Sequence, residues 1–374
     1  EGKAVFMRVD FNVPLDDGRI TNDARIQAAL PSIQRVLDEG GKLVLASHLG
    51  RPDGEVKPEF SLKPVADRLA ELLGRPVKFG PQDVAGEEAR QMAADLQGGE
   101  VLLLENVRFD PREKSKDEAK SGELGEAFAA MAEAYVNDAF GTCHRKHASM
   151  YAAPKAIQAK GGPAVAGFLV EKEIRYLHEA VADPKRPFVA ILGGAKVSDK
   201  IQLISALLEK VDRILIGGAM AYTLLKARGV QVGKSRVEDD QVENMKGILD
   251  RAGDKILLPG DHVATDDFKA GQPTTVEDVN IPEYLLGMDI GPETVKRFGE
   301  VIEGAGTVVW NGPMGVFERS EYAAGTKSVA EAVAKATDTG AVTVIGGGDS
   351  ATAVEQMGLA DRMTHISTGG GASL

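Results

Sequence analysis

Lys196 and Lys200 stand four residues apart, directly after a glycine pair, Gly193-Gly194, that ends the apolar run Phe188 to Leu192. A buried strand, a glycine turn and a helix start bring free backbone N–H groups to one spot, with the positive end of the helix dipole behind them. That is a seat for phosphate, and two lysines at this spacing can share a helix face above it. Taken alone, the stretch reads equally well as an ordinary strand-to-helix turn with surface lysines.

Further residues repeat the theme. Asp10 and Asn12 follow a short strand, Ala4 to Asp10. His48 and Arg51 follow a second, Lys42 to Ser47. Arg108 follows Glu100 to Glu105, and His144, Arg145 and His147 follow Ala134 to Asp138, with Arg25 close behind Asn22 and Asp23. Clustered cations repel one another unless an anion lies between them, and guanidiniums suit carboxylate and phosphate oxygens. Any single member is better read as a surface ion pair; it is the recurrence after equivalent strands that argues for a site. Late in the chain, Gly346-Gly-Gly-Asp349-Ser350 follows another apolar run. Glycines there let a backbone pack against a ligand, Ser350 and a helix start can bind phosphate, and Asp349 can hold Mg²⁺.

Other chemistries lack their signatures. Gly229-Val-Gln-Val-Gly233-Lys234-Ser235 imitates a phosphate loop, but it is one residue short between its glycines and lacks a leading apolar strand and a following apolar helix. H-E-x-x-H, C-x-x-C and G-x-S-x-G do not occur, so zinc and serine hydrolases are unsupported. A nicotinamide enzyme would carry G-x-G-x-x-G after its first strand, where this chain reads Asp-Phe-Asn.

Composition sets the frame. A chain of 374 residues with 43% apolar and 27% charged content reads as a globular protein of roughly two domains. Its net charge of −12 argues against nucleic acid as a partner. No apolar run nears the roughly 18 residues that cross a membrane, and Glu1-Gly-Lys-Ala4 does not read as a signal peptide. Cys143 is the only cysteine, which excludes an internal disulfide and fits a reducing, cytoplasmic setting. Near-continuous apolar strands alternate with helical stretches such as 62–73, 87–96 and 351 onward. This pattern predicts parallel sheets covered on both faces, with ligands beyond the carboxyl ends of the strands. Residues 113–120 read as a solvated loop or helix face. Glycines 161, 162 and 167 precede a polar helix near 170–181 that reads as a linker.

These residues resemble the phosphoglycerate kinase family. The matching stretches are Arg8 to Pro14, Ser47 to Pro52, Leu104 to Phe109, Asn137 to Thr142 with His144-Arg145, Gly193 to Lys200, Val309 to Glu318, Gly346 to Ser350 and Ser367 to Gly371. They run in the family's order over nearly the whole chain.

The resemblance implies an α/β fold of two Rossmann-like lobes, each a mostly parallel sheet with helices on both faces. Residues 1–165 would form a phosphoglycerate-binding lobe, 166–183 a linker helix and hinge, and 184–365 a nucleotide-binding lobe. Residues 366–374 would begin a return segment toward the first lobe, cut short here, as the family's usual dozen residues before the first strand are. The reaction implied is reversible transfer of the acyl phosphate of 1,3-bisphosphoglycerate to MgADP, giving 3-phosphoglycerate and ATP, in a cytoplasmic monomer. Carried over by position, Asp10, Asn12, Arg25, His48, Leu49, Gly50, Arg51, Arg108 and Arg145 hold the phosphoglycerate, with His147 beside them. Arg25, Lys196 and Gly348 are the catalytic set. Lys200, Gly217, Gly218, Gly287, Asn311 and Pro313 contact the nucleotide. Glu318, Gly347, Gly348, Asp349 and Ser350 complete that site, Asp349 also binding Mg²⁺. Cys143 and Ala219 replace the family's frequent Ala and Gly. The competing implication is an inactive two-lobed relative that binds phosphate or nucleotide.

Overall fold

The apolar runs become strands because alternate side chains find cover on opposite faces. The computed structural model describes residues 2–367 and Gly369. By its internal packing the chain separates into two units, Glu1–Ile174 and Arg175–Leu374. The division falls within a helix, α6 (Phe168–Ala182), which begins two residues before the helical stretch expected from the sequence.

The first unit holds six parallel strands: β1 (Ala4–Val9), β2 (Lys42–Ala46), β3 (Lys78–Phe79), β4 (Val101–Leu103), β5 (Ala134–Asp138) and β6 (Ala164–Ala166), ordered β3-β4-β2-β1-β5-β6. Met7, Val9, Leu43 and Leu45 bury one face against α1 (Ala24–Asp38) and α2 (Lys63–Leu73). Phe6, Val44 and Leu102 bury the other against α3 (Glu87–Ala94), α4 (Glu118–Ala129) and α5 (Ala153–Ala159). The order turns back on itself at β1, which lies between β2 and β5. The charged stretch 113–120 is not wholly solvated. Glu113 is fully buried, and Asp117 caps α4 by accepting from the N–H groups of Ala119 and Lys120.

The second unit opens with β7 (Phe188–Leu192), β8 (Arg213–Ile216) and β9 (Ile256–Leu257). A small antiparallel sheet follows, β10 (His262–Thr265), β11 (Thr274–Val276) and β12 (Leu286–Ile290), with β10 central. β13 (Thr307–Asn311), β14 (Val342–Gly346) and β15 (His365–Ile366) complete the main sheet in the parallel order β9-β8-β7-β13-β14-β15. This is the dinucleotide-fold order, in which chain direction across the sheet reverses between the first and fourth strands, here β7 and β13. Ala190, Leu192, Ile214 and Ile216 pack on α7 (Ile201–Leu208), α8 (Met220–Ala227) and α9 (Val242–Ala252). Val189, Ile191, Val308 and Trp310 pack on α10 (Pro292–Glu303), α11 (Ala324–Asp338) and α12 (Gly348–Gln356). The small sheet is not foreseen from sequence, because its strands are short and mixed in polarity and carry no apolar run.

Candidate functional site

In the first unit the polar residues gather at the carboxyl ends of β1, β2 and β4. Arg25, on the first turn of α1, donates to the Asp10 carboxylate at 2.9 Å, and Asp10 also accepts from the Asn12 N–H at 3.2 Å. The Asn12 side chain accepts from the Gly50 N–H at 2.8 Å. Arg108 donates to the Gly50 oxygen at 2.8 Å, and the Asn106 amide donates to the Leu49 oxygen at 2.7 Å. The tips of three strands are thus tied together by their own polar groups, which sets Asp10, Asn12, His48, Leu49, Gly50 and Arg108 in one cluster. Arg51 and Arg145 are exposed. Arg51 lies near enough for its charge to act on Arg108, and Arg145 near enough to act on His147. Among the described residues, the buried Nε of Arg108 has no partner.

Beneath this cluster lies a group whose importance the sequence hides. Arg8 is fully buried inside β1. It donates to the Ser149 hydroxyl at 2.8 Å and to the Val9 oxygen, and it meets the His48 Nδ1 at 3.2 Å. Glu113 accepts from the Ser149 N–H at 2.9 Å and from its hydroxyl at 2.6 Å. Burial raises the Glu113 carboxyl, opposed by Arg8, Ser149 and Arg108. A charge within an otherwise apolar strand, Ala-Val-Phe-Met-Arg-Val, is the one sequence signal for Arg8.

One expectation needs correction. The histidines do not add to the positive charge. Burial, then Arg8, Arg108 and Arg25, push His48 well below its ordinary value against the pull of Asp10. Burial, then Arg108, Arg8 and Arg145 together with Lys114, push His147 down to about 4. Both imidazoles are neutral near pH 7, so the cationic character rests on arginine alone. Burial acts to raise Asp10, yet His48, Arg25, Arg8 and the Asn12 N–H hold it below its ordinary value. With His48 neutral, the arginines carry that effect.

In the second unit a cavity of about 330 Å³ opens at the point where the strand order reverses. The segment after β7 contributes Gly193, Gly194, Lys196 and Lys200 to it, and the end of β13 and the residues beyond it contribute Asn311 and Pro313. Gly347, Gly348, Asp349 and Ser350 line its far side at the start of α12. Lys200 is buried and donates to the Asn311 backbone oxygen at 3.0 Å and to its side-chain oxygen. Burial pushes this ammonium down to about 8 against the attraction of Asp349 and Asp199. Lys196 is exposed on the loop.

Open backbone donors on this cavity come from two loops. The loop Gly193–Lys200 offers only part of its N–H groups: those of Ala195 and Lys196 have no acceptor among the described residues, while most of the others are engaged. Gly193 and Gly194 donate to the Asn311 and Pro313 oxygens at 3.0 Å each, and Glu238 accepts from Val197 at 2.6 Å and from Ser198 at 3.1 Å. A carboxylate of the protein itself already occupies the helix start. Nor do the two lysines share a helix face, since a 3₁₀ turn, Ser198–Lys200, precedes α7. The second set of open donors is at α12, which begins at Gly348, three residues earlier than expected. Gly347 turns the chain into it with φ of 84°. The N–H groups of Gly348, Asp349 and Ser350 have no acceptor among the described residues. The Ser350 hydroxyl accepts from the Gly312 N–H at 2.6 Å, which locks the two loops together.

The remaining expected nucleotide residues stand outside the lining of this cavity. Gly218, with φ of 66°, lies so close to Gly194 that a Cβ would come within 2.4 Å of its nitrogen. Gly217 packs on Met314, and Gly287 on β12 faces the Tyr222 ring. Glu318 is exposed on the loop after β13. Arg236, by contrast, lines the cavity and was not singled out from the sequence, where it directly follows the false phosphate loop. Asp349 and Asp199 both border the cavity. The described residues hold no cluster of three or more metal-ligating side chains. This donor set fits Mg²⁺ carried by a carboxylate together with substrate phosphates, the ion's usual mode at phosphoryl-transfer sites. A larger cavity of about 650 Å³ lies in the first unit, walled by α4, α5, Tyr151 and several lysines, and it includes His147 but none of the expected arginines. Gly371 and most of the last glycine motif lie outside the described residues.

The chain is similar to known proteins over its whole length. The family model described as phosphoglycerate kinase matches residues 1–374. A protein of that name from Chloroherpeton thalassium is 54% identical over 100% of this chain and 93% of its own length. One from Rhodopirellula baltica is 56% identical at the same coverages. Among solved structures, phosphoglycerate kinase from Pyrococcus horikoshii superposes with a TM-score of 0.86 at 36% identity, covering 100% of this chain and 92% of that one. The enzyme from Coxiella burnetii superposes with a TM-score of 0.85 at 36% identity and the same coverages. No helix among the described residues is long and apolar enough to cross a membrane.

Proposed function

The chain belongs to the phosphoglycerate kinase family, and from that premise we propose how its two clusters divide the reaction. The activity is glycolytic: the acyl phosphate of 1,3-bisphosphoglycerate passes reversibly to ADP, giving 3-phosphoglycerate and ATP. The first unit takes the phosphoglycerate through Arg25, Arg51, Arg108 and Arg145, oriented by Asp10, Asn12, His48 and the Leu49–Gly50 backbone. The second takes the nucleotide phosphates through Lys200, Asn311, Pro313 and Gly347 to Ser350. Gly217, Gly218, Gly287 and Glu318 contact the nucleoside. The observation that carries this reading is the cavity at the β7–β13 reversal, where two lysines and the open N–H groups of α12 converge.

The chemistry asks for placement and charge cancellation. Neither the substrate carboxylate nor the ADP β-phosphate carries a proton that must be removed near pH 7, so no general base is required. The converging groups are accordingly guanidinium, ammonium and backbone N–H. Arg25 and Lys196 neutralise the equatorial oxygens of the group in flight, and the Gly348 N–H donates to it. Asp349 would hold Mg²⁺, which when bound would offset the charge of the nucleotide phosphates. Because the substrates belong to different units, transfer requires the units to close and shut out water that would hydrolyse the acyl phosphate. The protein acts as a cytoplasmic monomer on small molecules.

The test is ATP formation from 1,3-bisphosphoglycerate and MgADP, with Lys196→Ala alongside. The variant is expected to lose about a hundred- to a thousandfold in kcat. An unchanged kcat with only KM raised would remove Lys196 from the catalytic set. Absence of turnover by the unmodified chain with both ligands bound would overturn the catalytic reading.

A further inference from the structure

Three cations border the nucleotide cavity, Lys196, Lys200 and Arg236. Arg236 has no part in the reading above. It is exposed, and no carboxylate or other acceptor among the described residues engages its guanidinium. An arginine free in this way on a surface loop is ordinary. Its backbone setting is not.

The residues around Arg236 are fastened at several points. Ser235 is buried, donates its N–H to the Val232 oxygen at 3.0 Å, and accepts from the Gly287 N–H at 2.8 Å through its hydroxyl. Val237 packs against the core of the second unit. The Glu238 N–H donates to the Thr223 hydroxyl at 3.1 Å, while the Glu238 carboxylate caps Val197 and Ser198. The segment therefore bridges β12, at Gly287, and the loop that carries Lys196. Arg236 lines the cavity from this segment, between the anchor at Gly287, proposed above to contact the nucleoside, and the anchor at the Lys196 loop.

We propose that Arg236 binds the phosphate nearest the ribose of the bound nucleotide, making it a third phosphate-binding cation and a determinant of nucleotide affinity in this chain. The proposal rests on the nucleotide reading of the cavity. A guanidinium offers paired donors to phosphate oxygens, and a pre-fixed backbone lowers the entropy lost in ordering it. Lys200 is tied to Asn311 and buried, so it reaches one place only. Arg236, with no such tie among the described residues, adds a guanidinium donor set to the same lining.

The experiment is calorimetric titration of the whole chain and of Arg236→Leu and Arg236→Lys with ADP, AMP and adenosine, together with steady-state kinetics. Arg236→Leu is expected to weaken ADP and AMP about tenfold or more, the usual effect of a charged hydrogen bond. It should leave adenosine and the KM for 3-phosphoglycerate unchanged and keep kcat at saturating nucleotide. Arg236→Lys should recover part of the loss. Unchanged ADP affinity in Arg236→Leu would overturn the proposal. So would an equal loss for adenosine, which would place the guanidinium against the base. If the unmodified chain bound none of the three, the nucleotide reading itself would fall, and this inference with it.

Discussion

Lys200 and Asn311 meet across the line where the strand order of the second unit reverses. The ammonium, at the start of α7, donates to the backbone oxygen of the last residue of β13 at 3.0 Å. The helix after the first strand and the tip of the fourth strand are thereby fixed to one another at the mouth of the cavity. The contact also explains how a buried lysine is tolerated: the charge keeps hydrogen-bond acceptors when it loses water.

That burial sets a pH limit. Lys200 is pushed down to about 8 in the free protein, so its charge is present below this value and lost as pH rises through it. Phosphate binding favours the charged form. MgADP binding near pH 8.5 is therefore expected to take up a fraction of a proton, and kcat/KM for nucleotide to fall on the alkaline side. Titration in buffers of different ionisation heat measures the uptake. Lys200→Arg should abolish it.

Arg25 and Asp10 make the corresponding pair in the first unit, at 2.9 Å. If Arg25 stabilises the transferring group, Arg25→Ala should lower kcat by about a hundred- to a thousandfold and disturb KM for 3-phosphoglycerate much less. Asp10→Asn keeps the guanidinium but loosens its tether, and should lower kcat by a smaller factor. Initial-rate kinetics on both variants reads the ordering.

Glu238 caps the helix start beside Lys196. Glu238→Gln keeps the shape and removes the charge that serves Val197 and Ser198. The expected loss is about 1 kcal/mol of stability, as for other helix caps, with a raised KM for MgADP and an unchanged KM for 3-phosphoglycerate. Urea unfolding and kinetics check the two halves.

Asp289 is a buried carboxyl that accepts from Gly325 at 2.7 Å and from Ile290 at 2.9 Å, and burial raises it to about 7. Its folded value lies above its unfolded value, so the protonated form favours folding. That stability is fully present below about pH 4 and is lost as pH rises through 7. A shift of this size corresponds to a stability change on the order of 4 kcal/mol. Asp289→Asn should flatten the decline, as followed by urea midpoints between pH 4 and 8.

Much of this protein is legible in its sequence. The runs Phe188 to Leu192 and Leu43 to Ala46 announce buried strands, because an all-apolar run is stable only when both faces are covered. Polar residues directly after such strands mark the ligand end of an α/β sheet, and this spacing picks out Asp10, His48, Arg108, Lys200 and Asp349. What escaped was whatever depends on contacts distant in sequence. Arg8 and Glu113 lie 105 positions apart by their numbers and gain their meaning through Ser149. Glu238 takes the donors of Val197 and Ser198 from 41 and 40 residues away. The antiparallel strands β10 to β12 have no periodicity strong enough to declare them.

The sequence by itself determined the alternation of elements, the residue types at the strand ends and the chemistry they can perform, because strand burial and backbone turns are set by local pattern. Only the tertiary structure decided which donors remain open and which charges persist. Ionisation depends on burial and neighbours, and so His48 is neutral, Lys200 is weakened, the helix start at Ser198 is already capped, and Arg236 is left facing the cavity.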